Sequence, residues 1–411
     1  MNDALGANFF RHEYSRLVAM LVRRVGARHL EAVEDAVQSA LLAAVQAWPR
    51  STVPDNPSAW LYRVAHHHFA SELRRRARHG ELAAEHARSA VEPAMDAAPA
   101  SLSGDVRDDL LRMLFVCCDD AIPIESQLVL SLKTLCGFDV GEIAERLFLT
   151  EANVYKRLVR ARARLREAPL LAAELTSTQL ASRLGAVHAV LYTLFTEGYL
   201  SSHVNGAIRR ELCEDALRLT TLLTGHPVGT TPETYALLAL MHLHSARTPA
   251  RQDGSGGLLL LEEQDRTLWD QAEIHVGLSW LSRAAEGDFF SRYHAEAGIA
   301  AEHCLSPSFA ETRWARIVEC YELLERVAPS ALHTLNRAVA VAEHRGPEHG
   351  LLVLEGPEPP SWLLGSYQWS AVLSDLHRRA GHVEVARRYR EIALGSAPSD
   401  VIREALARRL R

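Results

Sequence analysis

Several large classes of protein are excluded by what this 411-residue chain lacks. No run approaches the roughly 18 uninterrupted apolar residues that a membrane span requires. The segment from Met1 to Leu17 interleaves Asp3, Arg11, Glu13 and Arg16 and has no apolar signal core. Both absences argue against secretion or membrane insertion and predict a cytoplasmic protein with no membrane partner. The six cysteines, at 117, 118, 136, 213, 304 and 320, form no C-x-x-C pair, which fits buried thiols in a reducing compartment. A general excess of positive charge is also missing: 45 Lys+Arg stand against 51 Asp+Glu, for a formal charge of −6. Runs of alternating β-branched residues are absent, so strands are not expected.

What is present is helix-forming sequence almost throughout, dominated by Ala, Leu, Arg and Glu. The charge is unevenly placed. Residues 1–168 carry 22 basic and 22 acidic side chains, so the remaining 23 basic and 29 acidic ones put the whole deficit in 169–411. A stretch rich in Ala, Glu, Pro and Ser at 79–105 (Pro93, Pro99, Ser101, Ser103, Gly104) reads as a linker. A weaker break falls at Pro169. We therefore expect an all-α protein made of a module at 1–78, the linker at 79–105, a module at 106–168 and a helical remainder at 169–411. In that remainder Ala386, Tyr389, Ala393 and Pro398 follow the small/aromatic spacing and terminal Pro of tetratricopeptide repeats. Tyr321 and Pro329 stand about two 34-residue units earlier.

Three helices carry the chemistry. Over 33–48, Val33, Val37, Ala40, Leu41, Ala44, Val45 and Trp48 make one apolar stripe, and Pro49 ends it. Asp35, Gln38 and Leu42 lie opposite, where Leu42 is an apolar side chain among polar ones, a docking face or a minor helix contact. The next helix opens at Asn56-Pro57, a cap followed by a proline at the first helical position. Leu61, Ala65, Phe69 and Leu73 step by four along its inner side. Trp60, Tyr62, Arg63, His66, His67 and His68 crowd its first turns, and Arg74, Arg75, Arg76 and Arg78 close it. Rings that stack on bases, interleaved with cations that neutralise phosphates, suit single-stranded nucleic acid. Three consecutive histidines on a helix point in three directions, so no metal site is expected there.

The third pattern is the most specific. Leu128, Val129, Leu132 and Leu135 mark a helix broken at Gly137. Asp139 and Glu142 form a capping-box pair opening a short helix with Val140, Ile143, Ala144 and Leu147 inward. The turn Phe148–Leu149–Thr150 leads to a second helix, with Val154, Leu158, Ala161 and Leu165 facing the core. Asn153, Lys156, Arg157, Arg160 and Arg164 form a basic stripe beside them. From Glu151 to Glu167 there are six basic and two acidic residues. Two short helices, a tight turn and a basic second helix make a helix-turn-helix, whose second helix enters the DNA major groove.

In order and spacing, these segments resemble a bacterial RNA polymerase sigma factor of the extracytoplasmic-function class. Asp35-Ala-Val-Gln38-Ser-Ala-Leu-Leu42 with Trp48 resembles the family's polymerase-binding helix. Trp60-Leu-Tyr-Arg-Val-Ala-His-His67 resembles its promoter-melting helix. Leu149-Thr-Glu-Ala-Asn-Val154, running into Lys156–Arg166, resembles its recognition helix. The segments 191–199, 258–266 and 335–342 resemble a subgroup with a long tetratricopeptide-like carboxyl extension.

The resemblance implies an alternative sigma factor, not an enzyme, with core RNA polymerase and promoter DNA as partners and no cofactor. Asp35, Gln38 and Leu42 are then the polymerase-binding residues. Trp60, Tyr62, Arg63, His66, His67, Arg74 and Arg75 are expected at the −10 element. Thr150, Glu151, Asn153, Tyr155, Lys156, Arg157 and Arg160 are expected at the −35 element. The resemblance further implies that the extension regulates in cis through contact with the sigma modules.

Some positions depart from the family pattern. Ser39 stands where members often carry Glu, His67 and Ser71 where the melting helix usually has Asn and Asp, and Ala152-Asn153 where Gly-Thr is common. The promoter sequence is therefore not assigned. One rival is a one-component helix-turn-helix regulator with a ligand- or peptide-sensing helical domain. The other is an enzyme built on His242, His244, Glu262, Glu263 and Asp265. The two histidines are two residues apart, the wrong spacing for one helix face, and Gly254–Gly257 is too short for a P-loop and lacks its Lys.

Overall fold

The computed structural model describes residues 7–48, 53–78, 102–147, 149–167, 175–200, 208–254, 257–356 and 359–410. Pro49, residues 79–101 of the linker, Phe148, Pro169, Ser255 and Gly256 lie outside them. Among the described residues there is no strand, only one isolated bridge between Gln252 and Leu258. They divide into two compact units, 1–194 with 225–228, and 195–224 with 229–411.

The first unit begins with α1 (Ala7–Val25), α2 (Leu30–Ala47) and α3 (Pro57–Arg78). Gly26, at φ 93°, turns the chain between α1 and α2. Asn56 caps α3 as expected, its Oδ1 accepting the Ala59 amide at 2.9 Å, and Leu61, Ala65, Phe69 and Leu73 are buried. In α2, Val33, Val37, Ala40, Ala44 and Trp48 are buried, whereas Val45 is 52% exposed and so lies off the expected stripe. The helix starts at Leu30 and not at 33, following directly on a short 3-10 turn.

Helix α4 (Leu102–Cys117) starts inside the segment assigned to the linker. Helix α5 (Ile124–Thr134) follows, and Gly137 at φ 65° reverses the chain after it. Helix α6 (Val140–Arg146) opens on the expected capping box, with Glu142 N–H donating to Asp139 Oδ1 and Asp139 N–H to Glu142 Oε2, each at 2.8 Å. Helix α7 (Glu151–Glu167) buries Val154, Leu158, Ala161 and Leu165, as the sequence pattern predicts. Cys117 and Cys118 are fully buried in this unit, and burial pushes the Cys118 thiol up to about 12.

Helix α8 (Ser177–Tyr199) contributes its first turns to this unit. Arg183 is 4% exposed, donates to the Phe115 carbonyl at 3.0 Å and forms a short ion pair with Asp119. A buried guanidinium bonded to the end of α4 ties the two helices, and the compact division falls after Leu194.

The second unit is built from helices paired with their neighbours in sequence: α9 (Arg210–Thr224), α10 (Pro232–Ser245), α11 (Gln271–Ala284), α12 (Arg292–Leu305), α13 (Trp314–Val327), α14 (Ala331–Arg345), α15 (Pro347–Leu354), α16 (Ser361–Leu364), α17 (Tyr367–Arg379), α18 (Val383–Gly395) and α19 (Asp400–Arg409). Helix α10 is buried on nearly all sides, from Thr234 to Leu243. Tyr321 lies on α13 and Tyr389 on α18, and Pro329 and Pro398 stand in the turns after those helices. In α18, Ala386 and Ala393 are the buried pair facing α17, where Ser374 donates to the Ala386 carbonyl at 3.0 Å.

Candidate nucleic-acid interface

The inner stripe of α7 is sealed in the core, so its remaining side faces outward. Thr150, Glu151, Asn153, Lys156 and Arg160 are exposed, Tyr155 is 56% exposed, and Arg157 is half-buried. Thr150 begins the helix, its Oγ1 accepting the Asn153 amide at 3.3 Å. Arg157 leans back far enough to donate to the Glu125 carbonyl at 3.4 Å. Six of the seven residues assigned to duplex recognition are thus exposed at the cap or on the N-terminal half of α7, and Arg157 is half-buried beside them. The arginines add cations to that outward side, and Asn153 adds an amide able to pair with a base edge.

The α3 residues divide. Arg63, His67, Arg74 and Arg75 are exposed, with Arg75 forming a two-pronged pair with Glu72 at 2.8 Å. Trp60 is half-buried in an aromatic cluster, 5.6 Å from Trp48, which in turn stacks on Phe10 at 6.0 Å. Tyr62 differs from the expectation of a surface ring. It is buried, its hydroxyl accepts from Arg24 at 3.2 Å, and its ring backs His66 at 6.2 Å. Burial, then the charge of Arg24, then His67, lowers the His66 pKa, which favours a neutral, stackable ring at neutral pH. The outer surface is therefore His66 supported by Tyr62, not Tyr62 itself.

On α2, Asp35 and Gln38 are exposed and Leu42 is 58% exposed. One residue before Asp35, Glu34 points the other way. It is 2% exposed, accepts from Thr134 Oγ1 at 2.8 Å and pairs with Arg162 of α7 at 2.5 Å. Glu31 meets Arg166 at 3.7 Å. The sequence reading missed Glu34, Arg162 and Arg24. Glu34 falls beside Val33 and Val37 on the inner side of α2, and an acid there signals a buried partner.

The residues of the rival enzyme reading do not converge. His242 pairs with Glu273 at 2.6 Å, Glu263 reaches Arg408 at 3.6 Å, and Asp265 caps a turn through Thr267. His244 is held elsewhere, among arginines.

Comparisons with known families match the chain in three segments. The Sigma-70 region 2 family covers residues 10–79, and the Sigma-70, region 4 family covers 113–165. A family of unknown function, DUF6596, covers 183–285. An uncharacterised protein of Rhizobium meliloti (strain 1021) is 36% identical over 329 residues, covering 80% of this chain and 78% of that protein. No solved structure matches the chain.

An all-helical chain that carries both a Sigma-70 region 2 segment and a Sigma-70 region 4 segment is a transcription initiation factor. The chain belongs to the sigma-70 family, as an alternative sigma factor of the extracytoplasmic-function-like type with a carboxyl-terminal DUF6596 extension. It binds core RNA polymerase and promoter DNA and directs promoter recognition and transcription initiation, and sigma factor families are not enzymes. No helix among the described residues is long and apolar enough to cross a membrane.

Proposed function

We propose that the outward face of α2, through Asp35, Gln38 and Leu42, docks on core polymerase. In the same complex α3 grips the opened −10 element. His66, backed by Tyr62, and half-buried Trp60 offer rings to unstacked bases, while Arg63, Arg74 and Arg75 neutralise phosphates. Holding a base out of its stack costs a few kcal/mol, offset by stacking worth about 1–3 kcal/mol per base. The −35 element is read by Glu151, Asn153, Tyr155, Lys156, Arg157 and Arg160 from the major groove. The observation that carries this reading is the split character of α7, with its apolar stripe sealed and its cationic and amide side open.

The functional modules are 1–78 and 106–168, and the extension from 169 acts on them in cis. Its support is the sequence order and the acidic excess of 169–411, which complements the arginine stripes. The protein acts in the cytoplasm, where core polymerase is found.

The test is Arg157→Ala with Arg160→Ala. Each lost phosphate contact should flatten the salt dependence of promoter binding by about 0.9 in log–log slope. Promoter-specific transcription should fall in step. Unchanged transcription and an unchanged slope would refute the assignment.

A further inference from the structure

The second unit holds a group of cations with no carboxylate paired to them among the described residues. Arg247 and Arg251 lie in and after the turn that follows α10, Arg266 opens the turn before α11, and His244 and His303 come from the last turns of α10 and α12. The Trp269 ring carries two guanidinium groups, Arg247 at 5.2 Å and Arg266 at 4.6 Å from its centroid. Two of the arginines have evident structural work. Arg251 lies 3.6 Å over the Tyr199 ring and bonds the Tyr199 carbonyl. Arg266 donates through Nη1 to the His303 and Ser306 carbonyls at 2.7 and 2.6 Å, closing the end of α12.

Arg247 has no such work. It is 8% exposed, its Nε is sealed without an acceptor, and no hydrogen bond or carboxylate pairing engages its guanidinium among the described residues. Stacking on Trp269 satisfies the face of the group but none of its in-plane N–H donors. Arg266 Nη2, Trp269 Nε1, His244 Nδ1 and His303 Nδ1 are likewise sealed and unpartnered.

The group's electrostatics follow from this. Burial and then Arg247 and Arg266 push His303 down to about 3, and burial, then Arg247, Arg251 and His303, hold His244 well below its usual range. The carboxylate that Arg266 senses is Glu311, which is exposed and engaged by Ser308 at 2.9 Å. A buried, uncompensated cation is among the most destabilising features a fold can carry, and native structures neutralise it with a counter-charge.

We infer that Arg247, with Arg266, Trp269, His244 and His303, forms a binding site for a compact oxyanion, a phosphate group. Phosphate supplies several acceptors and the dianionic charge that a planar guanidinium fork and neighbouring N–H donors recognise. The bound group would accept from the free donors of Arg247, Arg266 and Trp269. Either histidine, as its Nδ1–H tautomer or once protonated, would add another donor. Most of this constellation lies within the segment matched by the family of unknown function, with His303 just beyond it. It stands independently of the assignment of the sigma modules, and it gives the extension a small-molecule input.

Calorimetry and thermal unfolding of the full chain test this, with inorganic phosphate in one arm and glycerol phosphate in another, each against chloride at matched ionic strength. Phosphate should bind saturably and, at about 100 times its dissociation constant, raise the midpoint by about 5–10 °C. Tighter binding of glycerol phosphate would identify a phosphomonoester as the source of the group, and equal or weaker binding would identify the free anion. Arg247→Met should weaken binding at least tenfold and raise the anion-free midpoint, because the uncompensated charge is gone. Arg247→Lys should keep the charge, lose the fork and bind weakly. Identical wild-type midpoints in phosphate and chloride would overturn the site. So would Arg247→Met with its phosphate response intact, or with a lowered anion-free midpoint, which would make Arg247 a structural stacking residue.

Discussion

The Glu34–Arg162 pair gives the account its sharpest energetic consequence. Glu34 is 2% exposed and is bonded by Thr134 at 2.8 Å and Arg162 at 2.5 Å, with the Tyr14 hydroxyl beside it, whereas the Arg162 side chain keeps 21% exposure. The two single deletions should therefore differ. Arg162→Met strands a sealed carboxylate with no cation to balance it, and breaking a buried pair in this way costs about 3–5 kcal/mol. Glu34→Leu leaves a cation that can turn toward water and one unpaired hydroxyl, for a smaller cost of about 1–3 kcal/mol. At about 2–4 °C per kcal/mol for a unit of this size, Arg162→Met should lower the unfolding midpoint by about 6–20 °C. The double variant Glu34→Leu/Arg162→Met should recover most of that loss, since an apolar pair of similar volume is close to neutral. Differential scanning calorimetry of the four proteins reads the cycle. A midpoint for Arg162→Met within 2 °C of wild type, or a double variant no better than the worse single, would refute the pairing of α2 with α7.

Other consequences follow from the same structure. Truncation after Leu194, which keeps the Arg183 anchor, should yield a folded protein whose promoter-specific transcription differs markedly from that of the full chain, and equal activity would remove cis control. Acid should destabilise the second unit. His303 titrates at about 3 in the fold against about 6.5 in the unfolded chain, so the unfolded state binds more protons between those values. Stability is then complete above pH 6.5 and falls by about 1.4 kcal/mol per pH unit as pH drops toward 3, and His303→Gln should flatten that slope in urea titrations at several pH values.

What the sequence made legible was local. The Asn56-Pro57 start, the Asp139/Glu142 capping box, the Gly137 reversal and the stripe Val154, Leu158, Ala161 and Leu165 depend on residues within a turn or two, and each is found where its spacing puts it. What stayed hidden depends on distant partners. Glu34 meets a residue 128 positions away, and nothing near either one announces the other. Arg183 docks the start of α8 on the first unit through a carbonyl 68 positions earlier, which no composition break records. Tyr62 sits at a position that reads equally as outward or inward, and Arg24 from another helix decides it. The rival enzyme reading grouped His242, His244, Glu262, Glu263 and Asp265 by their nearness in sequence. The fold instead sends His242 to Glu273 and His244 to arginines gathered from separate turns.

The most direct test of the central claim is transcription reconstituted from core polymerase, the full chain and a promoter library. Initiation is expected at a subset of promoters that core polymerase alone ignores, lost when Arg157 and Arg160 are both alanine. Specific DNA binding by the chain alone, with no association with core polymerase and no initiation from any promoter in the library, would contradict it.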